Sequence, residues 1–318
     1  MKLSFAPMEG ISTYIYRHLH SSIFGGVEEY FAPFIAPDSR GAFKASALRD
    51  ILPENNRDTV LIPQLLVNRP EPFIHVAGEL AAMGYREVNL NIGCPSATVV
   101  AKHKGSGMLL DPAGLDACLK EIFSRSPLAV SIKTRMGLES TREFLPILDI
   151  YKKYPLKRLI VHARARSGMY KSPVDVPGFL SALEGCPWPV WYNGNIFSPE
   201  SPRELGLAGS SPAGLMLGRG AVADPALARL LRGGPALEAR ELREFHDRLL
   251  SAYLAAGYDG RAAMARLKEL WFYMLCKFPD SRRESKALLK SQSLTDYCSA
   301  VSALFESGGF SSGSYFSQ

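Results

Sequence analysis

The sequence has no Cys-x-x-Cys pair: Cys94, Cys118, Cys186, Cys276 and Cys298 form an odd, widely spaced set. That spacing argues against a disulfide framework and against a zinc site, so no metal centre is expected and a reducing cytoplasmic setting fits best. No apolar run approaches the roughly 20 residues of a membrane span. The opening Met1-Lys2-Leu3-Ser4-Phe5-Ala6-Pro7 is too short for a secretion signal, so a soluble protein with no membrane partner is expected. No internal repeat is present, and nothing marks an obligate protein partner. The first strand leads into Pro7-Met8-Glu9-Gly10 rather than a Gly-rich turn, which disfavours an open, doubly wound dinucleotide-binding sheet. Charge of one sign is also scarce. The 37 basic and 31 acidic residues leave +6, spread along the chain, which suits a phosphate-rich partner and equally a solvated, mildly basic surface.

What is present is apolar material in a regular order. At 318 residues and 47% hydrophobic content the chain can bury a large core. Eight short apolar runs read as strands: Leu3 to Ala6, Tyr30 to Ile35, Val60 to Val67, Glu87 to Asn91, Leu128 to Lys133, Arg158 to His162, Pro189 to Tyr192 and Gly214 to Leu217. Between most of them lie segments with apolar spacing near 3.6, such as Phe73 to Met83, Pro112 to Phe123 and Phe144 to Tyr154. Eight alternating units predict an α/β fold, a (β/α)8 TIM barrel. After Gly233-Gly234-Pro235 the alternation stops and helical patterns take over. The predicted organisation is a catalytic barrel over 1–235, a small C-terminal helical domain over 236–306, and a Ser- and Gly-rich tail over 307–318 that is expected to fray.

In such a barrel the C-terminal ends of the strands face the mouth, so polar residues there are candidates for chemistry. They are Met8-Glu9 after the first strand, Gln64 in the third, Asn91 to Cys94 after the fourth, Lys133 and Arg135 after the fifth, His162 after the sixth, Asn193 after the seventh and Arg219 after the eighth. Buried polar groups at so many strand ends cost stability without partners, which favours a shared ligand. Asn193-Gly194-Asn195 and Gly218-Arg219-Gly220 follow the last two strands, where glycine lets backbone N–H groups approach phosphate and Arg219 adds charge. Together they favour a phosphorylated cofactor, although each alone is an ordinary loop. Cys94 sits in a Gly-Cys-Pro turn followed by Gly105-Ser106-Gly107, glycines that suggest a mobile loop carrying a proton-donating thiol.

These residues resemble the tRNA-dihydrouridine synthase family. The likeness runs through Ala6-Pro7-Met8-Glu9-Gly10, Gln64, Asn89-Leu90-Asn91-Ile92-Gly93-Cys94-Pro95, Lys104-Gly105-Ser106-Gly107, Ser131-Ile132-Lys133-Thr134-Arg135, Val161-His162-Ala163-Arg164, Asn193-Gly194-Asn195 and Gly218-Arg219-Gly220-Ala221, in family order. The resemblance implies a bound FMN contacted by Pro7, Met8, Glu9, Gln64, Lys133, His162, Asn193, Gly194, Asn195, Gly218 and Arg219, with NADPH as reductant. It further implies reduction of a uracil ring in tRNA, with Cys94 as general acid and Asn91, Arg135 and Tyr170 as the uracil contacts. Lys133 and His162 suit the electron-rich edge of a reduced flavin, and Gln64 its amide-like edge; for His162 this reading is preferred to that of a satisfied core histidine. Ala165 and Gly168 depart from the family's Thr and Gln near the substrate. Arg282, Lys286 and Lys290 fall on one helical face that suits a phosphate backbone, or plain solvent. Two rivals share the scaffold: a flavin oxidoreductase for a free pyrimidine, as in the dihydroorotate dehydrogenases, and an inactive RNA-binding module.

Overall fold

The computed structural model describes residues 1–38, 41–210 and 212–317. The apolar runs form parallel strands: β1 (Lys2–Phe5), β2 (Glu29–Phe31), β3 (Leu61–Ile62), β4 (Gln64–Leu65), β5 (Glu87–Ile92), β6 (Ala129–Gly137), β7 (Leu159–Ala165), β8 (Val190–Asn193) and β9 (Gly214–Leu217). Their order is β3-β2-β1-β9-β8-β7-β6-β5-β4. The two ends of that order are neighbours in the chain, because β3 and β4 flank Pro63 within the single run expected over 60–67. Proline has no N–H to give to a ladder, so the run reads as two pieces of one barrel position. The Pro63 carbonyl still accepts from the Asn89 amide at 2.9 Å, and the sheet closes.

Two apolar layers result from the alternation of side chains along each strand. Ala6, Phe31, Ile62, Ile160, Trp191 and Met216 form a separate buried cluster drawn from six different positions around the barrel, which fills its interior. The other face packs on the helices: Phe5, Leu90 and Val161 belong to the large outer core together with Phe73, Leu119 and Phe179. The floor carries charge. Arg158, at the N-terminal end of β7, is buried, donates to both carboxylate oxygens of Glu87 at 3.0 and 2.6 Å, and pairs with Glu29. Its guanidinium also lies 5.8 Å from the Phe31 ring centre and 5.3 Å from that of Trp191. A buried arginine between two carboxylates and two aromatic faces satisfies its donors without water.

Beyond the barrel, helices span Ala239–Ala255, Gly260–Met274, Arg282–Lys290 and Leu294–Glu306. The first buries Leu242, Phe245, His246, Leu249 and Tyr253, one stripe at helical spacing. That stripe packs on the helix Tyr14–Ile23, with Phe245 5.5 Å from Tyr16 and 5.1 Å from Phe24 between ring centres. Arg266 donates to the Gly10 carbonyl at 2.8 Å. The helical region therefore shares one continuous apolar core with the barrel.

The tail, expected to fray, is seated as far as Phe316. Ser311 N–H donates to the Lys277 carbonyl at 2.8 Å, and Phe316 rests on Tyr273 and Phe197. The reading from composition missed the aromatic residues Phe310, Tyr315 and Phe316, which give the segment something to bury.

Candidate functional site

The C-terminal mouth of the barrel opens into a cleft lined by Pro7 and Met8 after β1, Lys133 of β6, His162 of β7, Asn193 to Phe197 after β8, and Gly218 and Arg219 after β9, with Tyr170 at its rim. The strands bring these together because β6 and β7 run further than the sequence suggested. β6 continues to Gly137, so Lys133 and Arg135 lie two apart on one face. Likewise β7 extends to Ala165 and places His162 and Arg164 in the same relation. Pairing between β6 and β7 shifts register between Arg135 and Gly137, the kind of irregularity that re-aims a side chain at a barrel rim.

The cleft carries an excess of positive charge. Among the described residues no carboxylate lines it, while Lys133 and Arg219 belong to it and Arg135 and Arg164 stand beside them. Burial, then the neighbouring Arg135, pushes the Lys133 ammonium down to about 8. His162 is held well below its usual range, first by burial and then by the cations Arg135, Lys133, Arg164 and Arg219. It is therefore a neutral imidazole. Arg164 approaches its Nε2 at 3.0 Å, and because a guanidinium can only donate, Nε2 accepts and Nδ1 carries the hydrogen. Arg164 also donates to the Asn195 Oδ1 at 2.9 Å, and Arg219 reaches the same oxygen at 3.4 Å. Sequence reasoning had passed over Arg164 as a site residue; the signal was its i, i+2 relation to His162 on one strand face.

Glycine shapes the phosphate-like end by close approach. A Cβ on Gly220 would lie 2.0 Å from the Ile196 carbonyl oxygen, and one on Gly194, whose φ is +140°, would lie 2.9 Å from Val174 Cγ1. At Gly218 the nearest atoms to an added Cβ are Ala6 Cβ at 3.6 Å and Met8 Sδ at 3.8 Å, both on cleft residues. An anionic group fits this chemistry. Cations gathered together, one of them a lysine whose ammonium burial and Arg135 push down to about 8, call for a negatively charged ligand.

Gln64 and Asn91 do not line the cleft; they form a buried amide ladder. Asn89 Nδ2 donates to Ser131 Oγ at 2.9 Å, Gln64 Nε2 donates to Asn89 Oδ1 at 2.7 Å, and Asn91 Nδ2 donates to Gln64 Oε1 at 2.8 Å. At its end, Asn91 Oδ1 accepts the Gly93 and Cys94 amides at 3.0 and 2.9 Å. The Cys94 turn is held by three further hydrogen bonds from two residues: Arg135 Nε donates to the Gly93 carbonyl, and Ser106 N–H and Oγ both donate to the Cys94 carbonyl. The glycines that suggested mobility are packed instead. A Cβ on Gly105 would stand 2.9 Å from that of Cys94, and one on Gly107 2.8 Å from the Val100 carbonyl. They allow the short helix Gly105–Leu110 to press against the turn. Cys94 is a partly exposed free thiol within electrostatic reach of Lys133 and Arg135.

Tyr170 is flanked by charge, its ring centre 4.5 Å from the Arg219 guanidinium and 5.3 Å from that of Arg135, with the His162 ring at 5.8 Å. Arg135 Nη1 donates to the carbonyls of Ala165 and Met169, fixing the loop that carries Tyr170, while its buried Nη2 meets no protein acceptor. Gly168 has a local reason: a side chain there would collide with Ser172 Oγ at 2.0 Å. Glu9 is the residue set apart. Gly10 turns the chain at φ +76°, and Glu9 lies in a neighbouring cleft with Asp50, Lys44 and Arg266. Burial and then Asp50 raise its carboxyl above the usual range.

Comparison with known proteins identifies the family. The dihydrouridine synthase family model matches residues 4–255. The chain is 28% identical over 295 residues to a tRNA-dihydrouridine(16) synthase of Aquipseudomonas alcaligenes, covering 88% of this chain and 92% of the relative. It is 30% identical over 241 residues to a protein of the same name from Cupriavidus necator, covering 73% and 74%. Among solved structures, the old yellow enzyme homologue from Zymomonas mobilis superimposes with a TM-score of 0.53 at 10% identity, covering 75% of this chain and 90% of that one, a likeness of fold. With the family model spanning the barrel and its mouth, the chain belongs to the dihydrouridine synthase family.

Proposed function

We propose that this enzyme reduces the C5–C6 double bond of uridine in tRNA, with FMN in the barrel mouth and NADPH as reductant. The observation that carries the reading is one site in which an acid-free, cation-rich cleft adjoins a thiol held by its own amide ladder. Pro7, Met8, Lys133, His162, Asn193, Gly194, Asn195, Gly218 and Arg219 are the residues that would hold the cofactor, Arg219 and the glycine loops taking its phosphate. When bound, the flavin supplies a hydride to C6 of the uracil ring. Lys133 and the neutral His162 would serve as donors toward its electron-rich edge. Cys94 holds the proton destined for C5, and the Asn91 ladder keeps that thiol in place. Tyr170, held at the rim of the cleft by Arg135 and Arg219, stands where an extruded base would enter.

The barrel, 1–235, is the catalytic part of this proposal, and the helical region 236–306 is its RNA-contacting part, with Arg282, Lys286 and Lys290 toward the phosphate backbone. Such a role belongs to the cytoplasm, and no described helix is long and apolar enough to cross a membrane. The test is an absorbance spectrum of purified protein, then anaerobic NADPH, then unmodified tRNA. Flavin bands that bleach with NADPH and return with tRNA are expected. Bleaching that only a free pyrimidine reverses would favour the dihydroorotate-dehydrogenase-like alternative.

A further inference from the structure

Residues 311–316 reach the Phe197 and Arg219 end of the cleft, and nothing in the chemistry described so far uses them. The tail is fastened at its base. Lys277, fully buried, pairs with the buried Asp224 at 2.6 Å, donates to the Ser312 carbonyl at 2.9 Å, and lies 4.4 Å from the Tyr315 ring centre. Its own carbonyl accepts the Ser311 amide, and Phe310 packs on Phe278 at 5.6 Å. From that base Phe316 extends to Phe197, with ring centres 5.6 Å apart, and to Tyr273, at 5.4 Å.

Both attachments converge on the element that carries Arg219. Asp224 caps the C-terminal end of the short helix Arg219–Ala223, and its backbone N–H donates to the Gly220 carbonyl. Phe197 lies under the Arg219 guanidinium, 5.3 Å from ring centre to charge, and itself lines the cleft. Arg219 is thus layered between Tyr170 and Phe197, and Phe316 is the support behind Phe197. An arginine that must meet a dianionic phosphate gains by having its side chain ordered beforehand, since less freedom is then lost on binding.

We propose that residues 311–316 form a strap that braces the phosphate end of the cofactor cleft, with Phe316 as a positioning residue for Arg219 that slows flavin release. This rests on the flavin reading above. The strap does not touch the reacting atoms; it acts through Phe197 and Arg219. Removing Phe316 deletes two aromatic contacts, of which the one with Phe197 supports Arg219 and is of a size that makes up to about a tenfold faster release the expected effect.

The experiment compares wild type, Phe316→Ala, Phe316→Tyr and a chain ending at Gly313, each loaded with FMN. Release is followed by the rise in flavin fluorescence after dilution, and the thermal midpoint of each flavin-free protein is recorded beside it. Faster release from Phe316→Ala and from the shortened chain, wild-type release from Phe316→Tyr, and flavin-free midpoints within about 2 °C of wild type support the strap. Equal release rates across the set overturn it while leaving the flavin reading intact. Faster release matched by a collapse of the flavin-free midpoint also overturns it, since the tail would then serve general stability. A wild-type chain that takes up no FMN overturns the flavin reading itself.

Discussion

Replacing Asn91 with alanine probes whether the amide ladder positions the thiol. The side chain makes three hydrogen bonds, accepting from the Gly93 and Cys94 amides and donating to Gln64 Oε1, and is only 6% exposed. Each such bond nets about 0.5 to 1.5 kcal/mol, so their joint loss should cost roughly 2 to 4 kcal/mol, more if water fails to reach Gln64 Oε1. Urea unfolding of the flavin-free protein reads that cost. A second readout isolates the positioning role: the rate at which iodoacetamide alkylates Cys94 in the native protein, followed by mass spectrometry of its peptide. Asn91→Ala should speed alkylation severalfold by freeing the turn. Asn91→Asp keeps both acceptances but sets a carboxylate oxygen against Gln64 Oε1, so it should restore the slow rate while leaving a loss of stability. A stability change below about 0.5 kcal/mol with unaltered alkylation would refute the brace and return Asn91 to the role of a uracil contact.

Cys94→Ala should retain the yellow flavin and its reduction by NADPH while losing nearly all reduction of RNA; unchanged turnover would remove the thiol from the mechanism. The Lys133 ammonium falls from an ordinary 10.5 to about 8 on folding, so between those values the unfolded chain binds more protons than the folded one. Stability of the flavin-free protein should therefore rise with pH across that window, and Lys133→Met should flatten the rise; a slope shared by both proteins would contradict it. Affinity for the anionic flavin should fall as pH climbs past about 8, where the free protein's Lys133 loses its charge, in titrations of wild type but not of Lys133→Met. At the floor, Arg158→Met leaves Glu29 and Glu87 without their cation and should cost about 3 to 5 kcal/mol in denaturant unfolding, with the cleft's ligand affinity preserved at low denaturant.

Much of this protein is local in the chain. Strand and helix alternation follows from apolar periodicity, which the sequence states outright, and closure into a barrel follows from counting such units. Cys94, His162, Asn193-Gly194-Asn195 and Gly218-Arg219 fall at strand ends because a barrel presents those positions to its mouth, so their order in the chain was enough to nominate them. What periodicity cannot express is which side chain meets which across strands. Gln64 and Asn91 are written as polar residues in apolar runs whether they face a ligand or each other, and only the β4-β5-β6 register makes them a ladder. Glu9 sits beside Met8 in sequence yet in a different cleft, among Asp50, Lys44 and Arg266 brought there from distant parts of the chain. Arg164 and the seat of Phe316 depend on contacts between residues 31 and more than 100 positions apart, respectively Asn195 and Phe197. The sequence by itself determined the barrel and the kinds of group at its mouth, since those are set by local pattern and composition. Only the tertiary structure decided which of those groups face the ligand and which hold the others in place, since that is set by long-range packing.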